Sequence, residues 1–183
     1  MRICSRRLTS APRPGPARGG SHEPETTDAR TVWFRAVATN PDPQLQLSTV
    51  TGRTRSIDDW TTMFQLCLVV LPDQMEAQRY LPVARNIFKV FGDADCRVAY
   101  VVPSTPAIAQ RILGRDAETT MTFVDPDRAL VDALGLTALP ALVHIRQDTS
   151  VGDVAEGWDA AAWQRVADSI ASAMAWSAPE IAS

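Results

Sequence analysis

A chain of 183 residues, 45% hydrophobic and 21% charged, reads as a globular protein long enough to bury one sizeable core. A formal net charge of −3 argues against a polyanionic partner. No apolar run approaches the roughly 20 residues that cross a bilayer, so neither nucleic-acid binding nor membrane insertion is expected. The charge is uneven: residues 1–30 carry six arginines against Glu23, Glu25 and Asp28, a balance of +3, while the remainder sets 12 basic against 18 acidic residues. That first segment is rich in Arg, Pro, Gly and Ser and has no apolar periodicity, which marks it as a disordered tail. It lacks the apolar stretch of a signal peptide.

Periodicity begins at Thr31. Residues 32–38 are strand-like, Asn40-Pro41-Asp42-Pro43 is a turn, and 44–51 alternate with Leu45, Leu47 and Thr49 on one side. After the Gly52-Arg53 turn, Ser56-Ile57-Asp58-Asp59-Trp60 reads as a capped helical turn. The near-continuous apolar run Phe64 to Leu71 predicts a central strand buried on both faces. Pro72-Asp73 ends it, and residues 74–91 have the spacing of one long amphipathic helix, kinked at Pro82 and stopped by Gly92. Cys96 opens the next strand, which runs to Val102, and is expected to be partly exposed there. A helix with Pro106 at its first position ends at Gly114, and Met121 to Val124 forms a further strand. Alternation of strands and helices from 64 to 145 implies a partly parallel sheet covered on both faces.

From Asp125 onward the pattern is specific. A short helix, Arg128 to Leu134, stops at Gly135; Pro140 marks the first residue of a buried strand that continues through Ala141 to Ile145. A hairpin at 146–150 leads to an edge strand over 151–156, Gly157 follows, and Trp163, Val166, Ala167, Ile170 and Met174 give the last helix one apolar face. The domain is bounded at 31–176, with Trp176 and residues 177–183 expected to fray.

The segment Leu134-Gly135-Leu136-Thr137-Ala138-Leu139-Pro140 resembles the "Tyr/Leu-Gly-Val/Leu-x-x-Leu/Ile-Pro" loop of the thioredoxin-like superfamily, with Gly157 where that superfamily carries a glycine. Asp125-Pro126 and the cadence from Gly52 to Trp60 look most like its peroxiredoxin and cytochrome-maturation branches. The resemblance covers about residues 45 to 175. It implies an α/β, thioredoxin-like fold: a central mixed sheet with helices on both faces, an added N-terminal β-hairpin, and a cis peptide bond before Pro140.

The resemblance departs at the residues that do the chemistry. The family's kinking proline lies five residues after the second cysteine of Cys-x-x-Cys, which counted back from Pro82 puts the motif at Gln74-Met75-Glu76-Ala77. Counted from Pro72, the Pro-x-x-x-Thr/Ser-x-x-Cys pattern falls on Glu76 and Arg79. Thiol exchange requires a thiolate at a helix N-terminus, and Gln74 cannot supply one. Dithiol oxidoreductase activity is therefore not expected. Cys67 reads as a buried strand residue and Cys4 belongs to the tail, which leaves Cys96 as the possible redox thiol. Three cysteines without a signal peptide point to a reducing, cytoplasmic compartment.

No nucleotide-binding or nucleophile-elbow motif occurs, and His22 and His144 assemble neither a metal site nor a triad, so no cofactor and no metal is implied. Asp125 and Asp127 read as helix caps. Three functions stay open. One is a redox-inactive module that binds a protein or peptide partner in a groove formed by Asp73, Gln74, Met75, Glu76, Ala77, Ala138, Leu139 and Pro140. The others are a one-cysteine oxidoreductase or peroxidase using Cys96 or Cys67, and a small-molecule site in the same groove.

Overall fold

Gln65–Val70 (β3) is buried at all six positions, as its unbroken apolar run requires of a strand covered on both faces. The computed structural model describes residues 38–182; the tail at 1–30 and all but the last residue of the strand expected at 32–38 lie outside them. β3 pairs parallel with β4 (Cys96–Val102), which pairs parallel with β5 (Thr122–Val124). On its other side β3 runs antiparallel to β6 (Ala141–Ile145), which is joined antiparallel to the edge strand β7 (Val151–Glu156). The hairpin of β1 (Gln46–Thr49) and β2 (Thr54–Ser56) adds to β5, giving a seven-stranded mixed sheet in the order β2-β1-β5-β4-β3-β6-β7.

Period-two alternation divides β3 between two cores. Cys67 and Val69 face a core filled by α2 (Leu81–Phe91), α3 (Pro106–Leu113) and α6 (Ala160–Ala173). Leu66, Leu68 and Val70 face the other, built from α1 (Ile57–Thr61), α5 (Ala129–Ala133) and Leu47 of the hairpin. Ser56 caps α1 by accepting from the Asp59 N–H at 3.1 Å. Asp125 serves α5 from a distance: its Oδ2 accepts from the N–H groups of Leu130 at 3.0 Å and Val131 at 3.1 Å, whereas Asp127 is exposed.

Three expectations change. The single helix over 74–91 is two elements, a 3-10 helix at Met75–Tyr80 and then α2. Pro82 falls in the first turn of α2, where its missing N–H has no intrahelical partner to lose, so it starts the α-helix and kinks nothing. The stretch after Gly114 contains a short helix, α4 (Asp116–Thr119), that sets Asp116 Oδ2 3.0 Å from Tyr100 Oη and 2.8 Å from Arg85 Nε.

The third change is at the C-terminus, where residues 177–181 do not fray. Ile181 is buried and its N–H donates to Gln164 Oε1 at 2.9 Å, Gln164 Nε2 donates to the Pro179 carbonyl, and Asn86 Nδ2 to that of Glu180. One apolar side chain in a polar tail finds its acceptors on helix faces that periodicity assigns to solvent. Removing residues 177–183 is expected to lower the free energy of urea unfolding by about 2 kcal/mol, the burial of one isoleucine. A loss within experimental error would show that the tail contributes nothing.

Candidate functional site

Register places the site. Val70 pairs with Ala141, and Ala141 pairs with Glu156, so the end of β3, the start of β6 and the end of β7 lie abreast. The three segments that leave these points, residues 71–76, 137–140 and 157–158, therefore share one end of the sheet.

The middle segment is tied down by a carboxylate. Glu156 Oε2 accepts from the Thr137 N–H at 2.6 Å, the Thr137 hydroxyl at 2.8 Å and the Ala138 N–H at 2.9 Å. The Leu139–Pro140 peptide bond is cis. Pro140 is buried, Leu139 half-buried and Ala138 exposed. Among the described residues the backbone N–H and C=O of Leu139 have no hydrogen-bond partner. An unpaired main-chain donor and acceptor on a fixed loop can take up an extended chain in β fashion.

The facing wall is the start of the 3-10 helix. Gln74 is its extended N-cap residue, and Asp73, Gln74, Met75 and Glu76 are all exposed, Met75 to 43%. Ala77 is fully buried in the core below, so it and Pro140 support the groove from beneath and do not line it.

Sequence reasoning missed the third wall. Trp158 is 38% exposed and its ring lies 5.9 Å from that of Tyr80 and 5.1 Å from that of Trp163, whose indole N–H donates to the Gly157 carbonyl at 2.8 Å. Gly157 takes φ +69°, a backbone that turns Trp158 over the 3-10 helix. A Trp directly after the family-position glycine was the only available signal, and its partners on other elements are invisible to periodicity. The Glu156 contact was equally hidden, since a carboxylate ending an edge strand reads as solvated.

Neither described thiol reaches this groove. Cys67 and Cys96 lie in the core between the sheet, α2 and α6. Cys96 is 6% exposed, not the partly exposed strand opener expected, because it belongs to the core that α2 packs onto this face of the sheet. Burial pushes the Cys96 thiol up to about 12 and raises Cys67 well above its ordinary value. At neutral pH neither is a thiolate.

His144, opposite Cys67 on β6, is fully buried. Its Nε2 bonds Gln65 Oε1, an acceptor, so the ring proton sits on Nε2 and Nδ1 is left without a partner. The bulge between β6 and β7 brings Gly152 against the ring, where a Cβ would collide with Nδ1. Burial, helped by Arg146 and opposed by Asp153, lowers the imidazole pKa from 6.5 to about 4. Among the described residues no group of three His, Cys, Asp or Glu side chains could hold a metal ion.

The comparisons give the class of fold first. No family model matches the sequence, and no curated protein matches it, but many solved structures match its architecture, and they have the thioredoxin fold. The chain is similar to the thioredoxin domain of a thiol-disulfide oxidoreductase from Bacteroides vulgatus, with 10% identity over 72% of this chain and 95% of that one, TM-score 0.56. It is also similar to a secreted Mycobacterium tuberculosis disulfide oxidoreductase homologous to E. coli DsbE, with 12% identity, 70% and 96% coverage and TM-score 0.55. An exposed lipoprotein thioredoxin from Streptococcus pneumoniae shares 22% identity over 63% of this chain and 90% of its own length, TM-score 0.52. At these identities the likeness is one of fold: the chain has an α/β thioredoxin-like fold with a mixed sheet.

The titration of His144 makes a measurable difference. Below pH 6.5 the unfolded chain takes up a proton that the folded chain refuses until about pH 4. Stability should therefore fall across that window, by on the order of 3 kcal/mol from this residue. Urea unfolding as a function of pH should show a flatter profile between pH 6.5 and 4 for His144→Gln than for the wild type; coincident slopes would contradict the assignment.

Proposed function

We propose that this chain is a thioredoxin-fold binding protein that holds an extended protein or peptide segment in the groove beside Pro140 and performs no dithiol exchange. One observation carries the reading: among the described residues the backbone N–H and C=O of Leu139 are unpaired on a loop fixed by Glu156, and the helix start across the groove offers Gln74 and no thiol. Mixed-disulfide chemistry needs an attacking thiolate, whereas β-type pairing needs only the main chain. Met75 and Trp158 add exposed apolar surface on either side, the kind of anchor that dominates peptide affinity. The relatives by fold include disulfide oxidoreductases, and the one-cysteine alternative keeps that chemistry. It requires a reactive thiol, and a Cys96 that is 6% exposed with its pKa pushed up to about 12 counts against it.

Peptides selected from a display library against the full chain should shift the amide NMR signals of Met75, Ala138 and Leu139, and Trp158→Ala should weaken their binding about tenfold. Peptides whose signals map elsewhere would refute the groove. In the same preparation, insulin reduction with dithiothreitol should run at the rate of the protein-free blank for the wild type and for Cys96→Ser alike. A rate well above the blank that disappears in Cys96→Ser would replace this reading with the one-cysteine enzyme.

A further inference from the structure

The groove beside Pro140 has a charge as well as a shape. The segments around it, residues 71–80, 137–140 and 156–159, hold four acidic residues, Asp73, Glu76, Glu156 and Asp159, against one basic residue, Arg79. Arg79 is already engaged, since its guanidinium lies over the Tyr80 ring at 4.7 Å and its Nη2 donates to Tyr80 Oη at 2.5 Å. Asp73 and Glu76 are exposed, and among the described residues neither side chain has a hydrogen bond or an ion pair. Glu156 spends Oε2 on Thr137 and Ala138 and keeps Oε1 without a partner. Asp159 gives Oδ1 to the Ala162 N–H at 2.8 Å and forms no ion pair among the described residues.

Solvated carboxylates alone would be an ordinary wet surface. Here they border the unpaired main-chain N–H and C=O of Leu139 and the exposed side chains of Met75 and Trp158. A chain laid against Leu139 in β fashion turns its side chains alternately to opposite faces and so carries them past the walls of the groove. Lys and Arg suit such walls, because their methylene stems cover apolar surface while the charged head reaches a carboxylate at the rim. A guanidinium also stacks on an exposed indole, which Trp158 offers. An acidic segment would meet like charge on entry. The wider field has the same sign, with 12 basic against 18 acidic residues over 31–183, and draws cationic segments towards the groove.

Resting on the reading of this groove as a peptide site, we propose that its partner is a basic extended protein segment, which pairs its main chain with Leu139 and sets Lys or Arg against Asp73 and Glu76. Glu156 Oε1 stands ready for a further cation beside the loop. Each exposed ion pair contributes little, so the charge chooses among segments while the main chain and the apolar anchors hold them.

The test is selection of a displayed library of random seven-residue segments on the full chain and on two full-chain variants. One is Asp73→Asn with Glu76→Gln; the control is Asp93→Asn with Asp95→Asn, exposed positions at the opposite end of the sheet, before β4. The wild type and the control should enrich segments in which Lys and Arg outnumber Asp and Glu, and the Asp73/Glu76 variant should lose that excess. The most enriched segment, made as a peptide, should shift the Met75 and Leu139 amide NMR signals of the wild type saturably. Replacing its Lys and Arg by Gln should weaken it roughly fivefold, the effect of two exposed pairs, and should change nothing on the Asp73/Glu76 variant. Should that variant not fold, the comparison of the two peptides on the wild type decides alone. Equal affinity of the two peptides, both mapping to the groove, would overturn the basic preference and leave the groove standing. A charge effect undiminished in the Asp73/Glu76 variant would overturn the assignment to these carboxylates, and peptides that map elsewhere would overturn the groove as well. A chain that sediments as a dimer and is split by the peptide would give the groove to a second copy and overturn the proposal too.

Discussion

The alignment of Val70, Ala141 and Glu156 across three strands is the constraint on which the rest depends. It follows from β3 being the buried centre of the sheet, with apolar side chains on both faces and hence one tolerable register against β6. Slipping β6 by one residue would turn Leu142 and His144 to the wrong core. With the register fixed, the loop before Pro140, the start of the 3-10 helix and the Gly157-Trp158 turn are delivered to one end of the molecule. Glu156 then converts proximity into rigidity by taking three donors from two loop residues. The groove is a consequence of sheet register first and of local sequence second.

The same register keeps sulfur away from that groove. Cys67 and Cys96 lie on the α2/α6 face of the sheet, in the interior of the strands and at the start of β4, far along the chain direction from the residues that follow Val70. Burial disfavours their thiolates; the nearby Cys96 adds to it at Cys67, and a backbone hydrogen bond from Cys67 offsets only part of it at Cys96. In a fold shared with disulfide oxidoreductases, the 3-10 helix at this end of the sheet starts from Gln74 and carries no thiol there. The buried His144 on the same face illustrates how the core treats polar groups: Gln65 satisfies one nitrogen, and the other is left bare against Gly152.

What the sequence disclosed, it disclosed through patterns that extend along the chain. The unbroken run ending at Leu71, the alternation around Leu47, the Ser56 cap and the spaced loop ending at Pro140 each constrain backbone geometry directly, and each appears where expected. Contacts between distant elements left no such trace. Glu156 bonding Thr137, Trp158 lying against Tyr80, and Gln164 receiving Ile181 join residues whose own neighbourhoods look solvated. Pro82 misled because helical spacing is satisfied equally by a 3-10 turn running into an α-helix. Cys96 misled because a strand opener after a polar turn reads as open, and here it belongs to the core that α2 packs onto the sheet.

Whether this fold carries a reactive thiol is read most directly from the rate at which an aromatic disulfide reagent titrates the folded Cys4→Ser chain at neutral pH. Cys67 and Cys96 should stay unmodified over the time in which free cysteine reacts completely, and both should react at once when urea unfolds the chain. Rapid, stoichiometric modification of Cys96 in the folded protein would contradict a fold without a reactive thiol.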